Sequence, residues 1–407
     1  MPHHVDIAIV GAGLVGSSMA CALASRPYQI ALIDSQPLAA RDKDSNDNDG
    51  RSIALALTSK QVYSALGLWD QLKAEAVPIQ NIHISDQGQF GATRLDSKRY
   101  DVESFGYLVP AEKLIIALET YINSQNNIKR FQPFNVSHVE HNEENVVVHS
   151  GSDSISAKLL IAADGAHSFI RSKLGIECEV KQYGQTAIVG CVDVELHHNY
   201  TAYERFTKEG PLALLPRSGN RCGFIWMKPT DIADKNSTLS NEAFVAILQQ
   251  VFGYRLGKLS NPSKRYAYPL SLSISKKRVQ KRVVLLGNAA QTLHPIAGQG
   301  LNLALREIAE LTDLLIGAKN DLLMIDKKLQ EYELKRKPDI TKTIRFTDRL
   351  NFLFTVDYPV LSRSRGIGLA LLGAIPVLEE KIVRQNLGDS ASIVSLLKGQ
   401  SQQSFNA

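Results

Sequence analysis

The sequence reads as an α/β fold: a Rossmann-like unit at the start, a sheet-based second domain and a helical C-terminal segment. Three observations predict it. An apolar run, Val5 to Val10, leads at once into Gly11-Ala12-Gly13-Leu14-Val15-Gly16 and then into a helical stretch with Ala20, Leu23 and Ala24 on its inner face. Two further apolar runs, Leu159 to Ala162 and Arg282 to Leu286, are followed by the polar turns Asp164-Gly165 and Gly287-Asn288. Between them, residues 180–270 read mostly as strands (Ala187 to Val192, Leu212 to Leu215, Cys222 to Met227), broken by one helix from Asn241 to Phe252. A chain of 407 residues is long enough to bury two cores.

The first unit carries its chemistry in its glycines. Gly11 permits the turn, Gly13 lets the backbone approach a pyrophosphate, and Gly16 lets the helix pack closely on the strand. A second strand, Gln29 to Ile33, ends in Asp34, whose carboxylate is placed to accept hydrogen bonds from ribose hydroxyls. The unit implies a bound dinucleotide and does not separate NAD from FAD. It is the single Gly-x-Gly-x-x-Gly that follows a strand. Gly366-Ile367-Gly368 lies inside an apolar run, where close helix packing explains it better.

The stretch from Ala289 to Asn302 is the most informative. Pro295, Gly298 and Gly300 stand at the entrance of an amphipathic helix whose apolar positions include Leu301, Ala304, Leu305, Ile308, Leu311 and Leu315. Such an entrance leaves backbone N–H groups free and no side chain in the way, which suits an anionic or electron-rich ring edge. Asp164-Gly165, with Ser168 and Arg171 downstream, reads either as a plain turn or as part of the same site.

The remaining segments are less specific. Residues between Pro37 and Gly50 form a polar surface loop, ending at Arg51-Ser52-Ile53-Ala54-Leu55, where Arg51 either pairs with phosphate or carbonyl oxygens or is solvated at a helix start. Tyr107 to Tyr121 reads as a helix with Leu114, Ile115 and Leu118 on one face. Lys335-Arg336-Lys337 and the basic residues up to Arg349 read as a solvated helical face. Gly366 to Leu378 is apolar, broken by Pro376, and flanked by Arg363, Arg365, Lys381 and Arg384. It suits either a core helix or a surface that enters a lipid interface. The tail beyond Gly388 is rich in Ser and Gln and is expected to fray. The net charge of +5 is not gathered into a nucleic-acid footprint. Cys21, Cys178, Cys191 and Cys222 are too scattered for a disulfide framework or a metal site. Met1-Pro2-His3-His4 runs straight into the first strand without a signal-like segment, so reducing cytoplasm is the expected compartment.

The glycine unit, Asp164-Gly165 and the Gly287 stretch resemble, in order, the three flavin motifs of the single-component FAD aromatic-ring hydroxylases. Gly287-Asn288-Ala289-Ala290-Gln291-Thr292-Leu293-His294-Pro295 is similar to the ubiquinone-biosynthesis branch, whereas most relatives carry Gly-Asp-Ala-Ala-His-x-x-x-Pro. The likeness extends to Tyr203-Glu204-Arg205-Phe206-Thr207, Gly210 to Pro216 and Arg365 to Leu369. It implies FAD as cofactor, NADPH or NADH as transient reductant, and O2 as the source of an oxygen atom placed on a polyprenylated phenol of the 2-polyprenyl-6-methoxyphenol type. Implied partners are other ubiquinone-biosynthesis proteins and the inner membrane, touched peripherally.

By the same likeness, FAD meets Gly11, Gly13, Gly16, Asp34, Arg51, Asp164, Gly165, Gly287, Asn288, Gly298, Gln299, Gly300, Leu301 and Asn302. Asn288 stands where Asp is usual, and an amide still accepts from a ribityl hydroxyl. His294 and Pro295 border the reacting face, with His294 either a proton relay or a structural histidine. Residues 1–75, 155–180 and 270–345 then form the FAD domain. Residues 76–154 and 181–269 form connecting segments and the substrate domain, 346–390 the helical C-terminal region and 391–407 a flexible tail. The alternatives are a sibling hydroxylase acting at another ring carbon, which shares these motifs, an FAD-dependent prenyl reductase, which would bind similar lipids without consuming oxygen, and a non-catalytic flavin-fold subunit of a biosynthetic complex, to which Asn288 points. A flavin halogenase needs a tryptophan-rich motif, and Trp69 and Trp226 are the only tryptophans.

Overall fold

The computed structural model describes residues 2–37, 51–88, 91–293, 298–317 and 324–355. Its first strand, His3–Val10, lies inside a sheet, paired in parallel with Asp153–Ala162 on one side and Ile30–Ile33 on the other. Ile128–Phe131 adds in parallel beyond Ile30–Ile33, and Val283–Leu285 adds in parallel beyond Asp153–Ala162. Strands buried on both faces need apolar side chains at every position, which is why these runs do not alternate with polar residues. Helices Leu14–Leu23, Ala111–Asn123 and Gln299–Gly317 cover one face, bringing Met19, Leu118, Leu305 and Ile308 into one core with Ile7 and Ile9. The other face packs Ala8 and Val10 against Val146 and Val148 of an added antiparallel hairpin.

A second, nine-stranded sheet is mostly antiparallel. Its long strand Cys178–Val194 pairs with Tyr266–Ser275 and Arg221–Pro229. The order continues through Leu212–Arg217, Thr201–Phe206, Asn81–Asp86 and Ala92–Asp96. Helix Asn241–Phe252, where the sequence places it, covers one face with Phe244, Leu248 and Phe252 against Leu214, Phe224 and Trp226. A small third sheet joins Ser52–Ala56, Gly106–Pro110 and Val77–Ile79.

Three expectations are corrected. Tyr107 to Pro110 is strand, and the helix starts only at Ala111. Tyr107, Leu108 and Val109 are buried between two strands, and proline holds the residue before it in an extended conformation. Arg51 precedes a strand, not a helix. Arg336 is buried, not solvated: the carboxylate of Asp339, three residues on, pairs with it inside the fold. Among the described residues no helix is long and apolar enough to cross a membrane. Residues 38–50, Gly366 to Leu378 and the tail beyond Gly388 lie outside the described residues.

Candidate functional site

The glycine turn packs backbone on backbone. Gly11 has φ +99°, and a Cβ there would lie 2.3 Å from the Ala163 carbonyl oxygen; a Cβ on Gly16 would lie 1.8 Å from the Gly11 oxygen. Neither position tolerates a side chain, because the turn is wedged between strand end and helix. Gly13 differs, since a Cβ there would meet nothing within 4 Å. It is the N-cap of helix Leu14–Leu23, with no side-chain cap and no acid in the first turn. The first-turn amides therefore face open space, an arrangement that holds a phosphate. Asp34 braces the turn: its Oδ2 accepts from the Ala12 amide at 2.7 Å and its Oδ1 from the Gln36 amide at 2.9 Å. A carboxylate at the end of this second strand stands where a dinucleotide's ribose would lie.

Asp164 sits against Gly11. Its Oδ2 accepts from the Ile170 amide at 3.1 Å, while its Oδ1 is buried with no partner among the described residues. A buried carboxylate oxygen left unpaired is costly, and a hydroxyl or amide of a bound group would relieve it. Gly165 follows, with open space where a side chain would stand. Arg171 then ties two loops together, donating to the carbonyls of Ala289 and Ala166, each at 2.9 Å. The motif contains Arg171, but this clamp is visible only once the Asp164 and Gly287 turns are neighbours in space.

The Gly287 turn is fastened from below. Gly287 has φ +56°, and a Cβ there would press on Val15 at 3.0 Å and Ala304 at 3.5 Å, so two helices meet over it. Its amide donates to Glu307 Oε2 at 3.0 Å; Gln291 Nε2 donates to Glu307 Oε1 at 2.6 Å, and Arg278 donates to Gln291. Burial pushes the Glu307 carboxyl up, opposed by Arg336, the Gly287 amide and Arg278. Sequence reading missed Glu307, whose place on an apolar helix face was its only signal. Asn288, by contrast, is exposed at the tip of the turn, its side chain open to a ligand.

At the helix entrance Asn302 is the fixed point. Its Oδ1 accepts from the Ala56 amide (2.8 Å) and Ser59 Oγ (2.7 Å), and its Nδ2 donates to the carbonyls of Ala54 (2.9 Å) and Gly298 (2.8 Å). Those bonds use the full capacity of its side chain, which shapes the entrance, so any ligand contact by Asn302 falls to its backbone amide. Gly298 packs on Ala54, Gly300 has open space around it, Gln299 is buried, and Leu301 leans on the main core. Arg51 is exposed at the head of strand Ser52–Ala56, whose Ala54 and Ala56 bond to Asn302. His294 and Pro295 lie outside the described residues.

The face of the second sheet opposite helix Asn241–Phe252 runs to this entrance. Val189 and Ile225 pack with Ala187, Met227, Leu270 and Tyr183. Tyr183 also packs with Leu272, Leu293 and Leu303, the last two flanking the entrance. Farther along, a cavity of about 340 Å³ opens between this sheet and the small one, lined by Ser52, Val77, Leu108, Pro110, Arg217 and Arg221 among others. A phosphate cradle, a buried carboxylate oxygen and an exposed amide on neighbouring turns fit an extended dinucleotide such as FAD.

The FAD binding domain family profile matches residues 4–347. The chain is 33% identical over 393 residues to the ubiquinone hydroxylase UbiL of Rhodospirillum rubrum, covering 94% of this chain and 89% of that protein. It is 27% identical over 387 residues to 3-demethoxyubiquinol 3-hydroxylase of Escherichia coli, covering 94% and 98%. The fold matches p-nitrophenol 4-monooxygenase PnpA of Pseudomonas putida with a TM-score of 0.77 at 17% identity, over 95% of this chain and 98% of that one. A match running through all three turns described above, from the first strand to the last described helix, makes the chain a member of the FAD binding domain family of monooxygenases, in the branch that holds the ubiquinone hydroxylases.

Proposed function

We propose that this monooxygenase hydroxylates the ring of a polyprenylated phenol, of the 2-polyprenyl-6-methoxyphenol type, in ubiquinone biosynthesis, with electrons from NADPH or NADH and one oxygen atom from O2. The observation that carries the reading is the apolar face of the second sheet, continuous through Tyr183 with the helix entrance. An aromatic ring needs such a dry wall, and the names of the Rhodospirillum and Escherichia relatives support the pathway. The reaction at another ring carbon is the second reading, favoured by the 3-hydroxylase name of the Escherichia relative.

FAD, when bound, supplies the activation of O2 and the transfer of one oxygen atom. The rest falls to the chain. Residues 1–75, 155–180 and 270–345 hold the cofactor. The amides after Gly13 bind its pyrophosphate, Asp34 orients the ribose, and Asp164 and Asn288 take polar groups of the chain between. The first-turn amides of Gln299–Gly317 hold negative charge at the ring edge, an effect worth ~3 kcal/mol where comparable donor sets have been removed. Residues 181–269 exclude water from the substrate. Because each CH₂ withdrawn from lipid costs ~0.8 kcal/mol, the enzyme takes so apolar a tail at the membrane surface or from a partner that presents it. Deleting the gene in its host tests the reading: a polyprenylated phenol lacking one hydroxyl should accumulate. An unchanged quinone pool would refute it.

A further inference from the structure

We infer that Glu204 is the catalytic acceptor of the substrate's phenolic proton; the assignment rests on the phenol reading above. The argument starts from strand alternation. Along Thr201–Phe206, Tyr203 points to the helix-covered face, where its ring meets Phe252 at 5.5 Å and His83 at 5.6 Å. Glu204 therefore points to the other face. In register it stands between Ile84 and Ala213, Ala213 stands beside Ile225, and Ile225 beside Val189. That row is the apolar wall that leads through Tyr183 to the helix entrance. One carboxylate thus sits between Ile84 and Ala213 in this row, which ends in the hydroxyl-bearing Thr93 on one side and Tyr266 on the other.

Nothing in the fold explains it as structure. The Glu204 carboxylate makes no hydrogen bond or ion pair to the described residues, and burial alone pushes it up to about 7. Along its own strand the flanking side chains on that face are Ala202 and Phe206. The other charged groups on the face are Asp86 beside Phe206 and, at the cavity end, Arg217 and Arg221, the latter paired with Asp193, with Glu75 across the cavity. Arg205 and His83 belong to the opposite face, where Arg205 Nε donates to the Val251 carbonyl, and Arg94 pairs in register with His83. A half-buried carboxylate that titrates near neutrality on an apolar sheet face has the properties of a general base. The step is a proton transfer: the phenol O–H bond breaks, a Glu204 O–H bond forms, and the electron pair stays on the phenolate oxygen. The phenolate's ring carbons are then richer in electrons for receiving oxygen.

The test uses the full-length, FAD-loaded enzyme, NADPH, and 2-methoxyphenol bearing one prenyl unit as probe. Wild-type kcat/KM should rise with pH to a plateau above about 7. Glu204→Gln should keep FAD and fold, lose at least about tenfold in kcat/KM at pH 8, and lose the acid-side limb. Glu204→Leu should in addition raise KM. With the O-methyl ether of the probe, which has no phenolic proton, wild type and Glu204→Gln should bind alike. A Glu204→Gln enzyme with wild-type kcat/KM at every pH would overturn the assignment while leaving the phenol reading intact. Failure of the wild type itself to hydroxylate any prenylated phenol would overturn the phenol reading, and the assignment with it.

Discussion

The Asn302 side chain shapes the site through its neighbours. It joins the helix entrance to strand Ser52–Ala56 and to the helix that begins at Leu57. Asn302→Ala strands two donors and two acceptors in a buried place, so it should cost about 2–4 kcal/mol in urea unfolding. It should also weaken FAD binding indirectly. A variant as stable as the wild type would show that these bonds are not held in solution. Glu204 gives a pH-dependent counterpart. Its value is raised from 4.5 to about 7 in the fold, so the folded state binds this proton more tightly than the unfolded chain. The stability it contributes is full below 4.5 and is lost as pH rises toward 7 and past it. Glu204→Gln should therefore gain stability over wild type at pH 8 and little at pH 4. Parallel melting curves at both pH values would contradict the raised value.

At the scale of elements, the strand–turn–helix units were legible because each needs particular glycines. Gly11, Gly16 and Gly287 are squeezed by neighbouring atoms, and such positions leave a mark on sequence that a surface loop does not. Helix Asn241–Phe252 was legible from its apolar period. Tyr107 to Pro110 was misread because a buried strand and the first turn of a helix share an apolar signature. The neighbours that decide the matter, Ser52–Ala56 and Val77–Ile79, are remote in sequence. Arg336 was misread for the same reason, since its partner Asp339 is near but the burying surface is not. Two glycines in one turn should now part company. Gly13→Val points into open space, so the protein should fold and lose its yellow colour. Gly16→Ala collides with backbone and should destabilise the fold by more than about 4 kcal/mol. Full FAD occupancy in Gly13→Val would remove the phosphate cradle from the account. For the Gly287 turn, Asn288→Asp should retain FAD, while Asn288→Leu should lose about 1–3 kcal/mol of FAD affinity by titration. Equal dissociation constants for wild type and the leucine variant would place Asn288 off the cofactor.

Across the whole molecule, two sheets of different construction divide the labour. The largely parallel sheet carries the glycine turns and helix starts, and the largely antiparallel sheet an apolar face that the proposed function assigns to the ring. The cofactor half of this plan was legible because phosphate recognition needs backbone at fixed places. The substrate half was not, because one carboxylate in an apolar row is visible only when strand register assigns its face. The most direct test of the central claim is isotopic: purified enzyme, NADPH and a short-chain prenylated methoxyphenol under ¹⁸O₂, with the product weighed by mass spectrometry. One ¹⁸O atom should enter the ring for each phenol consumed, with none from water. A product carrying no ¹⁸O, or phenol left unchanged while NADPH is oxidised in every condition, would contradict the account.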